Sequence, residues 1–282
     1  MRVAVVQLNS QADVAKNLAQ VEALVGRAVE QGAELVTLPE NFAFMGERDE
    51  DKRAVAEELS GDGPIIRTLA RLARERGIFL LGGGMPEKSA DPDRPYNSSV
   101  LLAPNGALLA SYRKVHLFDV DLPDGTQLRE SAGCTPGEET CVVAVRERMI
   151  GMTICYDVRF PELYRRLADA GALVVTVPAA FTLTTGKDHW HVLLRARAIE
   201  NQVFVLAPAQ TGKHPRGRQT YGKSLIVDPW GDVLAQCGEG EGVAVATLDF
   251  DYQKRVRAAL PSLAHRVGLF DQAPAALPKR HR

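Results

Sequence analysis

No stretch of this chain reaches 18 uncharged apolar residues, so the sequence offers no membrane-spanning helix. Cysteine is scarce: four residues, at 134, 141, 155 and 237, without a Cys-x-x-Cys pair. That excludes the disulfide framework of a small secreted scaffold and predicts reduced thiols. Neither charge dominates, since 34 Lys and Arg face 35 Asp and Glu. No global field therefore draws the protein to nucleic acid or to an anionic membrane, and a small-molecule partner is expected. The opening Met1 to Asn9 has too short an apolar run for a signal peptide and reads as a first strand, so a cytoplasmic protein is expected.

What is present is globular. The 282 residues are 45% hydrophobic and 24% charged, and a chain of this length buries roughly 75% of its unfolded surface. Residues 1–270 are read as one domain and 271–282, with Pro274, Pro278 and basic residues, as a loosely ordered tail. Strand 2–8 leads to a helix over about 13–31, with Asp13 as its N-cap, Leu18, Val21 and Val25 on one face and Gly32 as its stop. Strand 34–39, a helix 64–76 opened by Pro64 and closed by Gly77, and a strand over Ile78 to Leu81 continue a βαβ grammar. Asn105-Gly106 joins Ser98–Leu102 to Ala107–Tyr112 as a hairpin. A second alternation follows in strand 149–154, helix 161–170, strand 173–177, helix 188–201 and strand 203–207. A second hairpin pairs 221–227 with 233–236, and strand 242–248 and a helix from about 251 close the pattern. Parallel alternation with two antiparallel hairpins predicts an α/β protein, either a four-layer α-β-β-α sandwich or a three-layer sheet.

Three apolar runs end in residues with chemistry. Met149–Ile154 delivers Cys155, which is followed at once by a turn into a helix, a geometry that would raise a sulfur near backbone N–H groups and favour a thiolate. Cys134, Cys141 and Cys237 have no such turn and read as inert packing. Leu35–Pro39 delivers Glu40, either a solvated strand exit or a partly desolvated base. Leu108–Arg113 delivers Lys114, either half of a surface charge pair with Arg113 or a functional ammonium. Taken together the roles are complementary. Glu40 would move the proton of Cys155 and Lys114 would face the oxyanion formed when sulfur adds to a carbonyl. The Tyr156 N–H would be the second oxyanion donor. A Cys-His pairing with His116 or His189 lacks the position and secretory context of papain-like enzymes. His189-x-His191 would place its two rings on different helix faces, so no metal site is expected.

The segments Leu38-Pro39-Glu40-Asn41, Tyr112-Arg113-Lys114-Val115-His116-Leu117-Phe118 and Gly151 to Glu162 closely resemble the three motifs of the nitrilase superfamily of carbon-nitrogen hydrolases. The resemblance runs over nearly the whole chain. It implies a Glu40, Lys114 and Cys155 triad in an α-β-β-α sandwich that pairs into homodimers, without metal or organic cofactor. A further supporting glutamate is implied at Glu130. Within that family the chain looks most like the branch of deaminated glutathione amidases and ω-amidases, through His116 to Asp121, Gly186 to Trp190 and Asp228 to Gly231. The implied reaction is hydrolysis of a linear amide through a Cys thioester. The implied substrate is deaminated glutathione, a metabolite-repair activity, with α-ketoglutaramate as the alternative; a catalytically silent interaction protein of the same fold is the reading from a different class. An α-keto acid substrate calls for a cation. Arg159 either serves as that carboxylate partner or pairs structurally with Asp157 or Glu162. Phe181 and His189 complete the expected substrate-binding set. The basic loop Lys213 to Arg218 is either solvated surface or the partner of a distal glycine carboxylate. One departure stands at Asp124-Gly125-Thr126, where many relatives have a glycine directly after the proline.

Overall fold

The structure is a computed structural model and describes residues 1–121, 125 and 127–267. The expected tail 271–282 and residues 122–124 and 126 of the departing loop lie outside the described residues.

Two sheets form. In the first, Arg2–Leu8, Leu35–Thr37 and Phe79–Glu87 run parallel, with Ala4 opposite Val36 and Val36 opposite Leu80. Tyr96–Leu102 and Leu108–Arg113 extend it antiparallel on one side. On the other side Gly242–Thr247 pairs antiparallel with Arg2–Leu8, and Ala209–Lys213 joins in parallel at Gln7 and Leu8. The second sheet has Arg148–Met152, Val174–Thr176 and Phe204–Ala207 parallel at its centre, flanked by Cys141–Val145 and by Leu225–Val227 with Val233–Gln236.

Alternation along the first strand decides how the layers stack, because successive side chains leave a strand on opposite faces. Val3 and Val5 face the second sheet, in a core with Leu81, Leu101, Ile150 and Met152. Ala4, Val6 and Leu8 face the other way, against Leu18, Val21 and Val25 of helix Val14–Glu30 and Leu69 and Leu72 of helix Pro64–Arg76. Helices Pro161–Asp169 and Leu183–Asn201 cover the far side of the second sheet through Leu163, Leu167, Trp190 and Leu194. The result is the four-layer α-β-β-α sandwich. Among the described residues, no helix is long and apolar enough to cross a membrane.

The local signals act as expected at several ends. Asp13 accepts from the Lys16 N–H at 3.1 Å, and Gly77 closes its helix at φ 63°. Three boundaries differ. The strand expected over 78–81 runs on to Glu87, because Gly82-Gly83-Gly84 let it pass close to the segment after the neighbouring strand: a Cβ on Gly83 would lie 2.0 Å from the Leu38 carbonyl oxygen. The arm expected over 221–227 is two strands in two sheets, since Gly222 and Lys223 adopt φ of 72° and 57° and turn the chain from one sheet to the other. The helix expected at 188 starts at Leu183, with Thr182 as its cap. Its early glycine, Gly186, lets it lie against Tyr221, where a Cβ would come within 2.3 Å.

Candidate active site

Glu40 follows Leu35–Thr37, Lys114 follows Leu108–Arg113, and Cys155 follows Arg148–Met152, so three strand ends from two facing sheets deliver their side chains to one place. Together with Glu130 they line an inner pocket of about 50 Å³. All four are buried, Glu40 at 3% exposure and Lys114 at 2%. Neither bland alternative, solvated strand exit or surface charge pair, describes these residues. Arg113 instead pairs with Glu87, at 2.6 Å.

The Lys114 Nζ donates to Glu40 Oε1 at 2.8 Å and to Glu130 Oε2 and Oε1 at 2.8 and 3.0 Å. The second Glu40 oxygen accepts from the Ala180 N–H at 2.9 Å, and Glu130 Oε2 accepts from the Phe118 N–H at 2.8 Å. The Asn97 side-chain amide bridges the two carboxylates, donating to Glu40 at 2.9 Å and Glu130 at 3.2 Å. An ion pair this deeply buried holds only when its remaining lone pairs are satisfied, and these bonds do that. Gly84 leaves room for it, since a Cβ there would stand 2.7 Å from Asn97 Oδ1 and 3.2 Å from Glu40 Cγ.

Charges follow from this packing. Burial opposes the Lys114 ammonium, but the Glu130 and Glu40 carboxylates overcome it and hold its pKa well above the usual lysine range. Burial would likewise raise Glu130; the Lys114 charge, reinforced by that of Lys52, carries it down to about 2 instead. For Cys155 burial dominates and Glu40 adds to it, so the thiol titrates well above its ordinary value although Lys114 and the Ala180 N–H act the other way. Packing thus works against the expected thiolate, for Cys155 is buried, 7% exposed. It lies at the start of a short 3-10 turn, Cys155–Arg159, and the α-helix begins only at Pro161.

Cys155 itself has φ 47°, an uncommon value for a non-glycine residue, and its N–H donates to the Pro178 carbonyl at 2.8 Å. Asp157, with no exposure, fixes this turn. It accepts from the Ile154 N–H at 2.9 Å, the Tyr112 hydroxyl at 2.8 Å and the His116 N–H at 3.1 Å, and pairs with His116 Nδ1 at 2.8 Å. It thereby ties the cysteine turn to the strand end that carries Lys114. His116 also stacks on Phe160, with ring centroids 3.6 Å apart, and so is engaged away from the thiol. The turn's own backbone bonds run from Asp157 to Ile154 and from Phe160 to Asp157, leaving the Tyr156 N–H outside them.

Arg159 pairs with neither Asp157 nor Glu162. Its guanidinium lies over the Phe181 ring at 5.1 Å and the Tyr156 ring at 5.9 Å, and its Nη1 is 3.3 Å from His189 Nδ1. Burial works against its charge, lowering its pKa from the usual arginine value. The three expected substrate-binding residues, Arg159, Phe181 and His189, thus form one cluster beside the cysteine turn. His191 turns elsewhere, to Gln236 at 2.7 Å. Sequence reading missed Asn97, the Ala180 N–H and Lys52. Only Asn97 left a signal, a carboxamide within an otherwise buried strand, Tyr96–Leu102.

A cysteine, a carboxylate and an ammonium converge in one buried pocket of this sandwich, and the chain belongs to the carbon-nitrogen hydrolase family, whose model matches residues 2–258. The deaminated glutathione amidase of Synechocystis sp. is 48% identical over 267 residues, covering 94% of this chain and 97% of that one. The crystal structure of the Caenorhabditis elegans NitFhit protein, a nitrilase and fragile histidine triad fusion, superposes with a TM-score of 0.88 at 40% identity; the match covers 94% of this chain and 64% of that one. The amidase from Nesterenkonia sp. AN1, seen as a glutamate-to-glutamine mutant with acrylamide added at its active site cysteine, matches with a TM-score of 0.76 at 32% identity. That match covers 94% of this chain and 99% of that one.

Proposed function

We propose that this protein is a deaminated glutathione amidase whose nucleophile is Cys155, with Glu40 as general base and acid, Lys114 and the Tyr156 N–H as oxyanion donors, and Glu130 as the anchor of Lys114. The observation that carries the mechanism is the convergence of the Lys114 ammonium, 2.8 Å from Glu40, and the Cys155 thiol on one buried pocket. Burial and the nearby Glu40 carboxylate push the Cys155 thiol up, and Glu40 takes its proton as sulfur adds to the carbonyl carbon. The C–N bond then breaks, Glu40 returns that proton to the leaving amine, and an acyl thioester remains. Water, deprotonated by Glu40, adds to the thioester and releases the acid and the thiol. The reactive cysteine of the Nesterenkonia amidase supports the assignment of the nucleophile.

The substrate rests on the Synechocystis relative and on the Arg159 cluster. Arg159 is a half-buried cation whose contacts are the Phe181 and Tyr156 rings and His189, with no carboxylate partner among the described residues, suited to the α-keto acid end of the acyl arm. Steady-state assay of deaminated glutathione and α-ketoglutaramate tests this reading. The expected result is a larger kcat/KM for deaminated glutathione; a preference for α-ketoglutaramate would overturn it in favour of an ω-amidase.

Pairing into a homodimer is part of the proposal. Val192 and Ile199, two turns apart on helix Leu183–Asn201, are 66% and 44% exposed, and Trp230 is 53% exposed. Apolar side chains exposed in this way suit a subunit contact. Light scattering should give twice the mass of one chain, and a monomer would refute the pairing. The four free cysteines suit a reducing compartment, so we place the protein in the cytoplasm.

A further inference from the structure

The inner pocket shares Leu128, Thr182 and Arg218 with a much larger cleft of about 880 Å³. Arg159 lines neither, which sets the cleft apart from the Arg159 cluster. Three arginines besides Arg218 stand on its walls. Arg48 is paired with Asp51 at 3.3 Å, and Arg129 is held by both oxygens of Asp121 at 2.8 and 2.9 Å. Arg216 has no ion pair among the described residues. Glu47 and Glu50 stand among the lining residues as well, which leaves the 215–219 loop as the side suited to an anion.

The backbone presents Arg216 deliberately. It adopts φ 57° and ψ 25°, a left-handed conformation that a non-glycine side chain seldom takes, between Pro215 and Gly217. The loop is fastened from below by buried His214, whose Nδ1 meets the Ser10 carbonyl at 2.8 Å and whose Nε2 meets the Thr220 hydroxyl at 2.7 Å. The His214 N–H donates to the Arg218 carbonyl at 2.8 Å. Strained backbone persists where surrounding structure over-determines it, and it concentrates at ligand clamps.

The geometry points to Arg216 as the recognition site for a carboxylate carried on the leaving amine, the arm opposite the one that becomes the thioester. This rests on the proposed amidase reading and deepens it: the enzyme would be selective for amides bearing an anion at each end, with Cys155 between the two arginines. In deaminated glutathione that second anion is the glycine carboxylate.

The test is calorimetric titration of Cys155→Ala protein, with and without Arg216→Gly, using deaminated glutathione and its glycine methyl ester. Glycine adopts a φ of 57° freely, so Arg216→Gly should keep or raise the melting temperature. The acid should bind Arg216→Gly protein about tenfold or more weakly, as expected for loss of one charged hydrogen-bonding partner, while the ester binds both proteins alike. Equal binding of acid and ester, an equal loss for both, or no binding of either overturns the inference. Failure of the amidase reading shows separately, as absent turnover of deaminated glutathione by the unmutated enzyme.

Discussion

Cys155→Ala is expected to lower kcat on deaminated glutathione on the order of 10⁶-fold, the scale seen when a covalent nucleophile is removed from a hydrolase. No other described group offers to replace it. Asp157 and Phe160 engage His116, His189 contacts Arg159, and the other cysteines stand outside the inner pocket. The fold should survive the change, because alanine can occupy the same backbone conformation and loses only a buried sulfur, a cost of about 1 kcal/mol. Steady-state assay beside a thermal melt checks both halves. A variant retaining a tenth of the activity would remove Cys155 from the mechanism.

Lys114→Met is expected to cost roughly 3–5 kcal/mol of stability at neutral pH, the range found when one partner of a buried ion pair is deleted. Here one ammonium serves two buried carboxylates, and methionine fills the space without serving either. Activity should also fall about 10²–10³-fold through loss of an oxyanion donor. The stability loss should depend on pH. In the native protein the Glu130 pKa is depressed to about 2, below its unfolded value, so its contribution is present above about pH 4.5 and is lost as pH falls toward 2. Without Lys114 burial pushes Glu130 upward, and its ionised form becomes a cost above the unfolded pKa. That cost shrinks as pH falls from the raised value toward the unfolded one and is gone below it. The gap between variant and native protein should therefore narrow between pH 7 and pH 5, as urea unfolding at each pH would show. A gap that is constant or widens toward low pH would mean that Lys114 does not hold Glu130 in its charged form.

Much of this arrangement is visible in the chain before any coordinates. Asp13, Pro64, Gly77 and Asn105-Gly106 mark their elements because capping and turn chemistry act within a few residues. Glu40, Lys114 and Cys155 are legible because each follows an apolar run, and the two facing sheets bring the ends of those runs together. What stays hidden comes from distant segments. The Glu40 to Ala180 bond spans 140 residues and the Tyr112 to Asp157 bond 45, and no local pattern announces either. The surroundings of Cys155 are hidden for the same reason: the turn suggests a favoured thiolate, whereas the burial and the nearby Glu40 that push the thiol up are set by packing. The break at Gly222 and Lys223 is missed because both sides of it look like one β-rich run.

The most direct test of the central claim is mass spectrometry on enzyme quenched during turnover of deaminated glutathione. The mechanism predicts an acyl adduct, labile to hydroxylamine and confined to the peptide bearing Cys155, that is absent from Cys155→Ala protein. Turnover at full rate with Cys155 unmodified at every quench time, or an adduct on another residue, would contradict it.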